Sequence, residues 1–248
     1  MQTTGTVLDL YEACCQRPSV VAEALAALHG GTPTVLHEDF CGSAAVSRVW
    51  CEVPGRRAVA TDLDGDVLAH AQSRARDLNV TFIRGSVLDE PPAQPNADII
   101  FAGNFSVGEF EVREDLVQYL ARCHRRLRDG GVFMCDLFGA TPRPEGGSLR
   151  RMIPLPGGGT VEYTWEQRAW DPWSANVQCV IHFRVLERGE VTASYPEAFT
   201  YFWRVWGVAE FIDTLHDAGV WRCEVLDLVT RETPAPDARA VCVVARKR

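Results

Sequence analysis

The sequence has 248 residues, 46% of them hydrophobic and 23% charged, which fits a soluble globular protein large enough to bury a substantial core. Its formal net charge of −8 argues against nucleic acid or an anionic membrane as the main partner, since polyanion binders normally present a basic surface. The nine cysteines are odd in number and form no CxxC pair, which argues against a disulfide framework or a zinc site; no metal is expected.

The first 30 residues read as two helical pieces, TVLDLYEACCQ and, after Pro18, SVVAEALAALHGG with its glycine stop. Short β-branched runs then alternate with helical patterns. TVLHE (34–38) leads into AAVSRVW, and RAVATD (57–62) leads into DGDVLAHAQSRARDL. TFIRG (81–85) and ADIIFAG (97–103) follow, then the helix REDLVQYLARCHRRLRD, stopped by Gly130 and Gly131, and the strand GVFMCDLF (131–138). This rhythm predicts βαβ crossovers and a Rossmann-like, doubly wound, mostly parallel sheet.

The period changes after Phe138. GATPRPEGGS reads as loop, and from about Met152 to Trp206 apolar and polar residues alternate as in antiparallel strands, with turns at DPWSAN and ERGE. Five of the seven tryptophans fall in this stretch: Trp165, Trp170, Trp173, Trp203 and Trp206. The α/β pattern returns with GVAEFIDTLHDAG, WRCEVLDLVT, a PAPDA turn and AVCVVARK. Closing the sheet with this last pair puts one antiparallel strand among seven. The expected division is an N-terminal helical segment (1–33) covering a cofactor site, a core of 34–140 with 207–248, and a β cap inserted at 141–206.

In an open α/β sheet the ligand lies outside the carboxyl ends of the strands, so the first βα turn, EDFCGSA, is the candidate site. Gly42 permits close backbone approach. Asp62 ends the second strand twenty residues later, where a carboxylate can accept from two ribose hydroxyls. A strand-turn-helix joint with a surface aspartate is the plainer alternative.

The order of glycine turn, ATDLDGDVL, TFIRGSVLD, ADIIFAGNFS, LARCHRRLRDGGVFMCDLF and VAEFIDTLHDAG resembles the class I S-adenosylmethionine-dependent methyltransferases over about 34–138 and 206–246. The resemblance implies S-adenosyl-L-methionine as cofactor and S-adenosyl-L-homocysteine as product. It places Glu38 and Gly42 at the methionine end, Asp62 on the ribose and Leu63 on the adenine. Ser86 and Val87 fall at the adenine edge, and Asn104 and Phe105 at the methyl-transfer face. Phe40 and Ala44 stand where the family usually has glycine, and Ser86 where it commonly has aspartate. Phe40 also echoes the DPF-x-G-S-G turn of methyltransferases acting on base amino groups, but AGNFSVGEF lacks their two prolines. Nucleic acid therefore ranks second to a small-molecule acceptor, and a non-methylating relative of the same fold third.

The insertion resembles the antiparallel cap of small-molecule N- and O-methyltransferases. Trp165, Tyr201, Trp203 and Arg204 are its candidate acceptor-binding residues, with core packing as the alternative for each aromatic. Tyr11 resembles an N-terminal tyrosine that closes over the cofactor, or packs a helix. His182 and Asn104 are the catalytic candidates, and Glu109, Asp136, Tyr195 and Glu197 also fall near the expected mouth, so no base is singled out. The basic run RCHRRLR reads as a solvated helix face. Reduced cysteines in apolar runs, and the lack of a leader-like or bilayer-length apolar segment, point to a cytoplasmic protein with no membrane partner; a monomer and a homodimer both remain open.

Overall fold

The computed structural model describes residues 6–89, 94–138, 146–155, 158–227 and 240–248. In chain order the elements are α1 (Val7–Cys15), α2 (Pro18–His29), β1 (Val35–Asp39), α3 (Ala45–Cys51), β2 (Arg57–Asp62), α4 (Gly65–Ser73), β3 (Val80–Arg84) and β4 (Ala97–Ala102). A 3-10 turn (Ser106–Glu109), α5 (Arg113–Arg126), β5 (Leu127–Phe138), β6 (Gly147–Pro154), β7 (Thr160–Asp171) and β8 (Asn176–Glu187) follow. The chain ends with β9 (Glu190–Arg204), α6 (Val208–Ala218), β10 (Trp221–Leu226) and β11 (Ala240–Lys247). Two compact units divide them: Arg17–Ala140 with Trp206–Arg248, and Met1–Gln16 with Thr141–Val205.

The larger unit is a seven-stranded sheet in the order β10-β11-β5-β4-β1-β2-β3. β1 to β5 pair in parallel, and β11 runs antiparallel to both β5 and β10, giving the one antiparallel strand expected. Strand pleating sorts the buried side chains onto two faces. Leu36, Ile99, Phe101 and Met134 pack with Val21, Leu25, Val46 and Trp50 of α2 and α3. Ile100, Ala102, Phe133 and Cys135 pack with Leu116, Leu120 and Phe211 of α5 and α6. The fifth strand starts earlier than its apolar run, because Leu127 is buried and pairs with Ala97. All nine cysteines are free thiols.

The smaller unit is an antiparallel sheet in the order β6-β7-β8-β9. One face carries Val161, Tyr163, Ile181, Phe183 and Val185, against which α1 sets Leu10 and Cys14. β8 and β9 join through Arg188 (φ 52°) and Gly189 (φ 86°), consecutive left-handed residues that suit a two-residue hairpin turn. β6 was not anticipated, because an almost wholly exposed edge strand has no apolar alternation to show, and only its ladder to β7 defines it. The expected N-terminal segment 1–33 is divided between the units. Gln16 is extended and Pro18 opens a new helix, so the apolar stripes of α1 and α2 serve separate cores. Trp206 belongs to the larger unit's core. The expected PAPDA turn and residues 139–145 of the expected loop lie outside the described residues.

Beneath α5 lies a buried charged network. Asp39 accepts from Arg126 at both carboxylate oxygens (2.8 Å each) and from the Tyr119 hydroxyl at 3.0 Å. Arg126 also donates to His37 Nδ1 at 3.1 Å, which leaves Nε2 to donate to the Pro95 carbonyl at 3.0 Å. Burial pushes the Asp39 carboxyl up, but the charge and hydrogen bonds of Arg126 outweigh it and hold it below the ordinary carboxylate range. Burial and the same guanidinium drive His37 down to about 4, so the ring is neutral. Removing one partner of a buried pair strands the other charge, at a cost of about 3–5 kcal/mol. Asp39→Ala is therefore expected to lose about that much in urea unfolding at neutral pH; a loss below about 1 kcal/mol would show the pair to be solvated.

Candidate active site

The carboxyl end of β1 delivers the chain into the turn Phe40–Ala44. Three alternate residues here are left-handed: Phe40 (φ 54°), Gly42 (φ 52°) and Ala44 (φ 51°). The backbone thus keeps a glycine-type path with side chains at two of its three left-handed positions, at a cost of about 1–2 kcal/mol each. Packing offsets it. The Phe40 ring meets Phe110 at 5.8 Å and Tyr119 at 5.9 Å, edge to face, and Ala44 is fully buried. A Cβ added to Gly42 would meet nothing within 4 Å, so open space lies beside this residue.

Glu38 sits on the α3 face of β1, buried, and accepts hydrogen bonds from the Ser47 amide (2.7 Å) and hydroxyl. Ala44, the N-cap of α3, supplies no side-chain cap, so Glu38 caps the helix from the strand. Burial raises its carboxyl to about 7 despite those bonds.

Asp62 closes the next strand. Its Oδ2 accepts from the Gly42 amide at 2.8 Å and its Oδ1 from the Asp64 amide at 3.0 Å. One carboxylate therefore ties the first turn to the second, and its remaining lone pairs are left for ligand hydroxyls. Leu63 beside it is 65% exposed, an apolar side chain held out at a strand end. Ser86 follows β3; its hydroxyl accepts from the Leu88 amide at 3.1 Å and its amide donates to Asp89 at 3.0 Å, leaving the hydroxyl proton to donate elsewhere.

After β4 the backbone is left-handed at two consecutive residues, Asn104 (φ 58°) and Phe105 (φ 61°). Gly103 precedes them because a Cβ there would strike the Phe101 ring at 2.3 Å. Asp136, at the end of the adjacent β5, accepts from the Phe105 amide at 2.9 Å, and the Asn104 amide also supports its charge. Asp136 is thus an anchor of the Asn104–Phe105 turn. Its signal in the sequence was an acidic residue near the end of an otherwise apolar strand.

All the expected cofactor residues except Tyr11 are in the larger unit, at the carboxyl ends of β1, β2, β3 and β4. Tyr11, Trp165, His182, Tyr201, Trp203 and Arg204 are in the smaller one. There Tyr11 meets Phe199 at 4.9 Å and Tyr201 stacks on Trp203 at 4.5 Å. Strand alternation puts Trp165, Tyr201 and Trp203 on the face of Ile181 and Phe183, and His182 and Arg204 on the other. The six therefore do not share a face. The Nδ1 of His182 accepts from the Glu197 amide at 3.1 Å, which leaves Nε2 to donate to Glu166 at 2.9 Å. Glu197 is itself left-handed (φ 52°) at an irregularity of the β8–β9 ladder, so the ring braces a bulge.

Two outcomes test this geometry. Phe40→Gly relieves backbone strain but loses ring burial worth about 1.5–3 kcal/mol and frees the unfolded chain. A net loss of about 2 kcal/mol in denaturant unfolding is expected, and a variant as stable as the parent would show that strain dominates. For Asp136, burial raises the carboxyl from 3.8 to about 6, against the pull of the turn amides. The folded state therefore binds a proton that the unfolded state releases. This stability is present in full below about pH 4 and is lost as pH rises through about 6. Asp136→Asn should flatten the decline in unfolding free energy over that interval, and an unchanged slope would place the titration elsewhere.

No curated protein sequence matches the chain. Residues 40–131 match the family model described as a methyltransferase domain, a span that runs from the Phe40–Ala44 turn into the fifth strand. Among solved structures, DesVI of Streptomyces venezuelae has 20% identity and a TM-score of 0.78, covering 98% of this chain and 97% of its own. CalS10 of Micromonospora echinaspora, described as an amino pentose methyltransferase and solved with S-adenosylmethionine bound, has 14% identity and a TM-score of 0.75, covering 100% and 99%. The sugar N-methyltransferase KedS8 of Streptoalloteichus sp ATCC 53650 has 17% identity and a TM-score of 0.73, covering 100% and 95%. The family match thus falls on the turn that the geometry singles out, and the fold around it is the one these solved methyltransferases share.

Proposed function

We propose that the protein transfers the methyl group of S-adenosylmethionine to a nitrogen or oxygen of a small-molecule acceptor, releasing S-adenosylhomocysteine, as a cytoplasmic monomer or homodimer. The observation that carries the reading is the Phe40–Ala44 turn, which keeps its left-handed path with phenylalanine and alanine in it and is tied through Gly42 to Asp62. Bound there, S-adenosylmethionine brings a sulfonium methyl that is already electrophilic. In this reading Asp62 accepts from the ribose hydroxyls, Leu63 covers the adenine, Ser86 and Val87 meet its edge, and Glu38 holds the α3 end of the turn in place. Asn104 and Phe105, fixed by Asp136, border the acceptor.

Rate then comes chiefly from holding the nucleophile in line with the methyl and excluding water, which suits a site of ordered backbone rather than one built on a dedicated base. His182 would have to give up its Glu197 contact to take a proton, and no base is assigned to it. Trp165, Tyr201, Trp203 and Arg204 are the proposed acceptor contacts, and Tyr11 a proposed cofactor contact. A small acceptor is supported by the net charge of −8 and by an AGNFS turn without the paired prolines of base methyltransferases. The fold shared with an amino pentose methyltransferase and a sugar N-methyltransferase makes amine-bearing sugars the first acceptors to try.

Calorimetric titration with S-adenosylhomocysteine checks the cofactor half. Asp62→Ala should weaken binding about 10- to 100-fold, from the loss of hydrogen bonds to a charged acceptor worth about 1.5–3 kcal/mol. Unchanged affinity would remove Asp62 from the site. Formation of S-adenosylhomocysteine across a panel of amino sugars, other amines and hydroxyl compounds checks the acceptor half. Cofactor binding without turnover on any of them, or steeply salt-dependent RNA or DNA binding, would sink the small-molecule reading.

A further inference from the structure

Asp136 stands near the carboxyl end of β5, level with Gly103 and just past the end of β4. Its neighbour Cys135 packs towards α5 and α6, so the pleat turns Asp136 to the other face, that of Met134, Phe101 and Glu38. The residue is half-buried. Its carboxylate accepts from the Phe105 amide at 2.9 Å and is supported by the Asn104 amide, which leaves lone pairs over.

Most carboxyls buried in this sheet are answered within it. Asp39 is paired with Arg126 and Asp98 with Arg128, while Glu38 caps α3 and is raised to about 7 by burial. Asp62 and Asp136 differ. Both accept from backbone amides, and neither forms an ion pair among the described residues. Asp62 is assigned the ribose hydroxyls, but nothing yet answers Asp136. Holding the Asn104–Phe105 turn does not require its charge, because an asparagine oxygen in the same place accepts from the same amide. A carboxylate taken partly out of water is costly unless a cation meets it. The position therefore calls for a cation from a ligand.

Resting on the proposed cofactor site, in which Asn104 and Phe105 border the methyl-transfer face, we propose that Asp136 makes the site prefer a cofactor charged at sulfur over the neutral product. S-adenosylmethionine carries a sulfonium at that border, and S-adenosylhomocysteine a thioether without charge. The two share the α-ammonium, carboxylate, ribose and adenine, so only a charge sensed at sulfur separates them. A carboxylate in half-buried surroundings is screened less than one in water, so it attracts a cation beside the turn it holds. The effect is a site that retains the methyl donor and releases the spent cofactor. Asp62 adds negative charge at the ribose, so the parent's preference alone does not identify the residue responsible. Its loss on neutralising Asp136 does.

The test is calorimetric titration of the full chain at about pH 7.5, where burial leaves the Asp136 carboxyl, at about 6, ionised. The probes are S-adenosylmethionine, S-adenosylhomocysteine and sinefungin, whose amine puts a cation close to the place of the methylated sulfur. Asp136→Asn removes the charge and keeps an oxygen for the Phe105 amide. It is expected to hold S-adenosylhomocysteine within about twofold of the parent affinity and to weaken S-adenosylmethionine and sinefungin at least about fivefold. The retained affinity shows that the variant folds; should it not fold, Asp136→Ser carries the comparison. Equal weakening of all three ligands would overturn the proposal, since Asp136 would then serve the shared α-ammonium or the turn alone. So would unchanged affinity for all three, which would leave Asp136 a structural anchor. If none of the three binds the parent, the cofactor reading itself fails, and the preference with it.

Discussion

Two neighbouring buried carboxylates, Glu38 and Asp39, end the interior strand β1, and the pleat sends them to opposite faces of the sheet. Each must be neutralised where it lands, because an uncompensated charge in the interior costs several kcal/mol. Asp39 is neutralised by Arg126, with Tyr119 and His37 completing the network. Glu38 takes the other course: it caps α3 through Ser47, and burial brings its carboxyl to about 7, so it is substantially protonated at neutral pH. Both solutions tie a helix to the point where the chain leaves the strand. The register of α3 on one face and α5 on the other depends on them.

Backbone strain collects at the same edge of the sheet. Phe40, Ala44, Asn104 and Phe105 are all left-handed without being glycine, and they follow two hydrogen-bonded neighbours, β1 and β4. Such conformations persist only where the surroundings over-determine them. Asp62 does this for the first turn through Gly42, and Asp136 for the second through Phe105. Aromatic contacts from Phe40 to Phe110 and Tyr119, and from Phe105 to Phe138, add the packing that offsets the cost. The strained turns are therefore stiff, which suits a reaction whose catalysis is mostly placement.

Most of the larger unit was legible in the sequence because its signals are local. Apolar β-branched runs, helical periodicity and the spacing of Gly42 to Asp62 need no tertiary knowledge to read, whereas α5 ends at Arg126, ahead of the expected Gly130–Gly131 stop, and both glycines lie within β5. What escaped depends on partners distant in sequence. β6 is a strand only because β7 lies beside it. The break at Gln16–Pro18 was visible, but not that it parts two hydrophobic cores. Asp136 read as a possible base, and only its backbone partners, distant in sequence, show that it anchors the Asn104–Phe105 turn.

The sequence by itself determined the alternation of strand and helix, the place of the candidate cofactor turn and the acidic end of the next strand, since each follows from residue type and spacing along one stretch of chain. The tertiary structure alone decided which residues hold that turn in shape, and that Phe40 and Ala44 keep a glycine path. It also decided that His182 and Arg204 face away from Trp165, Tyr201 and Trp203. These outcomes rest on hydrogen bonds and ring contacts between segments tens of residues apart and on strand register, and spacing along the chain encodes neither.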